Sequence, residues 1–230
     1  MSTLRTPLPT GRRLRGVATL MVVATLSACS VLTPKATAPP AFYALDDTLA
    51  ASARPTAAST PVGTQTLIVN PVRAASGFDS QRIIYLREPH KLEYFARSEW
   101  VDTPARMLGP LLVAALSQNG GFQAVVMASG SASADLRLDT EIVRLQQEFF
   151  NSPSSVRVTL RAYLVDEKTR RVVAWKEFDQ RVDAGAENAQ AGVVAANRAV
   201  HAVLGELAQF VQLIRMPLAP NSPIRPTTIR

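Results

Sequence analysis

The chain is poor in the residues that most active-site chemistry needs. It has one cysteine and two histidines among 230 residues. A single thiol cannot form a disulfide within the chain. His90 and His201 have no metal-ligand partner at helical or hairpin spacing, so both read as surface or partly buried structural histidines. No glycine-rich phosphate loop occurs, because Gly120-Gly121 reads as a helix stop. No G-x-S-x-G elbow is present. Asp135, Asp139 and Glu141 share one parity of a strand, where three acids read as a solvated face and not as a catalytic pair. The expectation is a protein that is not an enzyme, with no metal and no cofactor.

Unpaired charge is scarcer than the composition suggests. The whole chain carries 25 basic and 18 acidic residues, or +7. Residues 1–28 hold four arginines (Arg5, Arg12, Arg13, Arg15) and no acid, so the remainder has 21 bases against 18 acids, or +3. The basic residues that remain alternate with acids, and no basic stripe is left for nucleic acid. The one marked apolar run, Gly16 to Leu26, is too short to span a ~30 Å hydrocarbon core comfortably.

That run has a different reading. Arginines, then an apolar stretch, then Leu26-Ser27-Ala28-Cys29 follow the order of a bacterial lipoprotein signal. The residues before the cysteine are small, as a signal peptidase pocket requires. Cys29 is the expected lipidation site, since sulfur is the nucleophile that takes the diacylglycerol. Several acyl chains on one cysteine make a durable anchor where a single chain would not. Ser30 in place of Asp favours the outer membrane. Residues 1–28 are thus the expected signal peptide, and 29–41 a Pro/Ala/Thr-rich tether. Residues 42–215 form one α/β domain, and 216–230 a Pro-rich tail expected to be extended and disordered.

Within the domain, Phe42 to Leu45 is a short apolar island, and 50–65 reads as a mobile loop. Thr66 to Val72 is a β-rich run closed by Pro71. Residues 82–87 and 91–96 pair as a hairpin around Glu88-Pro89-His90. Asp102-Thr103-Pro104 announces a helix whose apolar face is Met107, Leu108, Leu111, Leu112, Ala115 and Leu116, with Pro110 a candidate kink. Residues 122–127 are a strand. Three longer strands follow at 135–148, 155–166 and 171–182, the first with a parity slip near Val143 that suggests a bulge. A helix over 187–214 closes the domain with Val193, Asn197, Val200, Leu204, Leu207, Val211 and Ile214 in step. The expected architecture is a single mixed β-sheet packed with two main helices, in two or three layers.

Several of these stretches, taken in order, resemble one family. They are the lipobox, Tyr43-Ala44-Leu45, Val69-Asn70-Pro71-Val72, Arg82-Ile83-Ile84-Tyr85, Trp100 followed by the Pro104-capped helix, and Gly120-Gly121-Phe122. Together they resemble the ABC-type transport auxiliary lipoproteins, the PqiC/YmbA-like components of MCE-type lipid transport systems. The chain departs at Ala75-Ser76-Gly77-Phe78-Asp79, where members often carry a Pro-x-Tyr-Leu stretch. The resemblance implies a fold similar to the anticodon-binding-domain-like fold of the TolB amino-terminal domain. It implies a non-catalytic docking piece on the periplasmic face of the outer membrane. Its partners would be an MCE-domain protein with its ABC permease and ATPase, moving phospholipids or other hydrophobic molecules, and a homo-oligomer is left open. The competing readings are an assembly lipoprotein serving a β-barrel or lipopolysaccharide machine, and a periplasmic enzyme or direct lipid carrier, the carrier disfavoured because short strands and two helices leave little volume. For Tyr43 and Trp100 core packing is preferred. Tyr94, Phe95 and Trp100 lie close in sequence and would make a docking surface if exposed together.

Overall fold

One strand, Leu136–Glu148, is the spine of the molecule. In the computed structural model, residues 39–46, 63–118, 121–128 and 133–215 are described. Among them nine strands form one mixed sheet: β1 Ala41–Tyr43, β2 Thr66–Val69, β3 Arg73–Ala74, β4 Arg82–Leu86, β5 Glu93–Trp100, β6 Ala124–Met127, β7 Leu136–Glu148, β8 Ser155–Asp166 and β9 Val172–Asp183. Two helices accompany them, α1 Pro104–Gln118 and α2 Ala189–Arg215. Neither is long and apolar enough to cross a membrane. The signal at 1–28, Cys29, most of the tether, most of the loop at 50–65 and the tail at 216–230 lie outside the described residues.

On one side β7 pairs along its whole length with β8, antiparallel, and β8 pairs with β9. On the other side three short strands take β7 in turn, all parallel: β2 at Leu136–Leu138, β3 at Glu141–Ile142 and β4 at Gln147–Glu148. The sheet therefore forks. One branch adds β6 beside β2; the other adds β5 and then β1 beside β4. The expected parity slip is present, since the β7–β8 register shifts between Ile142 and Arg144.

Alternation decides which side chains enter the core. Val156, Val158, Leu160, Ala162 and Leu164 of β8 are all buried against α2. Both helices lie on this one face and touch each other, giving two layers. Thr103 caps α1 through its carbonyl, which accepts from the Met107 amide at 3.1 Å. Asp102 reaches Arg106 from the turn before, and Pro104 sits where no donor is needed. Pro110 lies inside α1, which continues through it to Gln118. Asn188 caps α2, its Oδ1 accepting from the Ala191 amide at 2.9 Å.

Three details differ from the sequence reading. The run at 66–72 stops at Val69, because Pro71 has no amide to donate, and the chain resumes pairing as the two-residue β3. The strand expected at 122–127 begins at Ala124, with Phe122 buried just before it. Short strands do not limit the interior: β7, β8 and β9 are 13, 12 and 12 residues long.

Candidate functional site

The first feature is a strap at the N-terminal edge. β1 adds to β5 by three residue pairs, Ala41 with Ser98, Phe42 with Glu99 and Tyr43 with Trp100. Beyond β1 the chain crosses to α2, where Asn197 grips it. Its Nδ2 donates to the Ala44 carbonyl at 3.1 Å and its Oδ1 accepts from the Asp46 amide at 3.0 Å. One carboxamide thus satisfies a donor and an acceptor of the strap, as a neighbouring strand would. His201 Nε2 lies 3.2 Å from the Asp46 carbonyl, one helical turn further on. Between these contacts Leu45 drops into a wholly apolar slot walled by Leu108, Ile142, Leu145, Val158, Leu160, Val200 and Val203. The free space left there is about 10 Å³, room for one water at most.

The second feature is the set of aromatics near β4 and β5. The structure does not bring Tyr94, Phe95 and Trp100 into one exposed patch, and Trp100 takes the core position preferred for it. Trp100 is 3% exposed and belongs to the core, with Tyr43 packed against it from the strap. Phe95 meets Tyr85 at a centroid distance of 4.6 Å, and the Tyr85 and Phe95 rings meet Phe149 at 5.6 and 6.4 Å. Burial first, then the bond from its hydroxyl to Glu93 Oε2, pushes the Tyr85 phenol up. Tyr94 faces the other way, half-exposed, under the Arg82 guanidinium at 4.8 Å. The physical reason is twofold. Adjacent strand residues point to opposite faces. In addition, β5 uses five residue steps, from Tyr94 to Glu99, where β4 uses two, from Ile84 to Arg82, and this bulge reverses parity before Trp100.

The third feature is the face of the β7–β8–β9 sheet opposite the helices. Its charges pair across strands. Arg157 forks onto Asp179 at 2.8 to 3.1 Å, and Arg161 bridges Glu177 at 2.8 Å and Glu141 at 3.3 Å. The Arg157 bond holds the Asp179 carboxyl below the usual range, assisted by Thr159. Arg181 Nη2 stands 2.6 Å from Oε2 of the buried Glu148, in an ion contact outside hydrogen-bond angles. Asp139, placed in the sequence among solvated acids, accepts from Asn70 Nδ2 at 2.6 Å and from Arg137 Nε at 3.2 Å. Asp135 accepts from the Thr66 amide at 2.9 Å. These acids are bound to neighbours and converge on no shared point. Among the described residues no three His, Cys, Asp or Glu side chains gather as a metal site. At the foot of this face Trp175, 61% exposed, stacks on Tyr163 at 6.2 Å. The sequence reading passed over Trp175, although its parity opposite Phe178 was the available signal.

These features define a class: a two-layer α/β domain with a strap at one sheet edge. The family model for the ABC-type transport auxiliary lipoprotein component matches residues 43–208, and the chain belongs to that family. Among solved structures it is similar to a Xanthomonas campestris protein of family DUF330. That match has 24% identity and a TM-score of 0.62, covering 70% of this chain and 90% of the other. A second similar structure, of an uncharacterised protein, has 14% identity and a TM-score of 0.58, covering 75% of this chain and 99% of that one. Both likenesses concern the fold. No curated protein sequence matches the chain.

Proposed function

We propose that this chain is a non-catalytic docking component of an MCE-type ABC transport system that moves phospholipids or other hydrophobic molecules across the cell envelope. It stands on the periplasmic face of the outer membrane, held by lipid on Cys29 and a tether over residues 29–41. The domain spans 42–215, after a signal at 1–28 and before a tail at 216–230. Family membership supports the auxiliary role. The observation that carries the docking reading, as against cargo carriage, is the occupied slot under the strap. A carrier needs a roomy apolar cavity, and the slot that Leu45 lines between α1, α2 and the sheet leaves only about 10 Å³. The pairing of the outer-face acids with arginines supports a structural role over a catalytic one.

Of the four aromatics, Tyr94 has the most exposed ring and is the proposed partner contact. Trp100, Phe95 and Tyr43 hold the β1–β5–β4 branch together. Tyr94→Ala is expected to weaken capture of the MCE-domain partner with little change in melting temperature. Trp100→Ala is expected to cost ~3–5 kcal/mol of stability. The reverse result, folding lost with Tyr94 and only binding lost with Trp100, would sink this assignment. Cys29→Ser is expected to move the chain from the membrane fraction to the soluble one.

A further inference from the structure

The hairpin end between β8 and β9 departs from the paired charges of the strands it joins. From Lys168 to Lys176 the sequence reads Lys-Thr-Arg-Arg-Val-Val-Ala-Trp-Lys, four bases and no acid. Every residue of this run except Ala174 is exposed. The side chains of Lys168 and Arg170 are 80% and 71% exposed. The acids nearby stand behind the turn. Asp135 lies 3.8 Å from Lys168, and Glu167 lies 3.3 Å from Arg170 while it also pairs with Arg137. Lys176 leans the other way, over the Phe178 ring. Lys168, Arg170 and Arg171 therefore crown the turn.

The crown is held in shape. Asp166 Oδ1 accepts from the Thr169 amide at 2.7 Å and from its hydroxyl at 2.9 Å, and the Arg170 amide donates to the Asp166 carbonyl at 2.8 Å. A fixed turn loses little entropy on docking. Directly beside the bases comes an apolar surface. Val172 pairs with Val165 and Trp175 with Tyr163, and these partners are two residues apart on β8. Val172 and Trp175 thus share the outer face, with Val173 the extra residue of the register shift between them. Trp175 is 61% exposed and stacks on Tyr163. From Val172 to Trp175 is three strand steps, ~10 Å. That matches the ~5–10 Å by which an amphipathic surface sinks into the headgroup boundary of a bilayer.

The chemistry selects the partner. Trp and Tyr, with an apolar body and a polar tip, are the residues of the membrane–water boundary. Arginines beside them take phosphate oxygens. A peptide partner uses a groove or a sheet edge, whereas these groups crowd a reversing turn, which is convex and suits a flat surface. The family is one of lipoproteins, so a bilayer is at hand. We infer that the β8–β9 hairpin end seats on the headgroup layer of an anionic phospholipid leaflet. Lys168, Arg170 and Arg171 meet the phosphates, and Val172, Val173 and Trp175 enter the boundary. This is a contact made by the folded domain itself, separate from any acyl anchor.

The test mixes the purified full chain with vesicles of phosphatidylcholine, alone or with phosphatidylglycerol, with brominated acyl chains as quencher. Trp100 is 3% exposed, so the responsive emission belongs to Trp175, and Trp175→Phe verifies that. Vesicles with phosphatidylglycerol should blue-shift this emission and quench it severalfold more than phosphatidylcholine alone, an arm that also controls for any acyl anchor. Raised salt should weaken the effect by screening. The triple variant Lys168→Gln, Arg170→Asn, Arg171→Gln should lose it with the melting temperature kept; Asn is chosen because Arg170 has a φ of +58°. Equal quenching by the two vesicle types would overturn the inference. So would full quenching in the triple variant. A blue shift that grows with protein concentration in the absence of vesicles would assign the patch to a second copy and overturn it too.

Discussion

Asn197 occupies a position in α2 that the helical period assigns to the apolar stripe, between Val193 and Val200. Its carboxamide is there because the strap needs one acceptor and one donor where no strand can supply them. Asn197→Ala is expected to cost ~1–3 kcal/mol in denaturant unfolding, since it removes the partners of the part-buried peptide groups of Ala44 and Asp46. Asn197→Leu should not recover the loss, because the unmet bonds and not the volume are at issue. At Asp179 the sign of the pH dependence follows from its depressed pKa. A carboxyl whose folded pKa lies below its unfolded value stabilises fully above the unfolded pKa, near ~3.9 for Asp, and loses that contribution as pH falls through the folded pKa. Asp179→Asn should therefore lower the melting temperature at pH 7, with the difference from the parent shrinking toward zero as pH falls through the acid range. A difference that is constant with pH would contradict the role assigned to the Arg157 pair.

The strap, as an element, is short, with three paired residues followed by Leu45 and the Asn197 grip. Leu45→Ala is expected to cost ~2–5 kcal/mol, because the slot's walls on two helices and a sheet cannot collapse together. Limited proteolysis should then cut near residue 46 sooner than in the parent. Strong local periods made most elements legible in the sequence. β8 alternates, so its core-facing set, Val156, Val158, Leu160, Ala162 and Leu164, could be named in advance, while the burial of Thr159 and Val165 could not. The Asp102-Thr103-Pro104 start of α1 was readable from side-chain chemistry alone. The two-residue β3 carries no period and owes its pairing to β7 across 68 residues, Arg73 against Glu141. That Tyr94 and Trp100 face opposite ways was not legible, because the bulge breaks parity between them. The strap's clamp was also illegible, since Asn197 and Ala44 are 153 residues apart.

For the whole molecule, the registers fix the direction in which the strap enters the sheet. β1 is parallel to β5, β5 antiparallel to β4, and β4 parallel to β7, so β1 runs against β7. Its first residue, Ala41, faces the end where β7 finishes, while the β8–β9 turn beside Asp166 lies at the end where β7 begins. The most direct test is affinity capture of the full chain from detergent-solubilised envelopes of its own host, with the captured proteins identified by mass spectrometry. The account predicts an MCE-domain protein together with an ABC permease and ATPase, and their loss or marked depletion in Tyr94→Ala. Recovery of a β-barrel or lipopolysaccharide assembly complex in their place would contradict it.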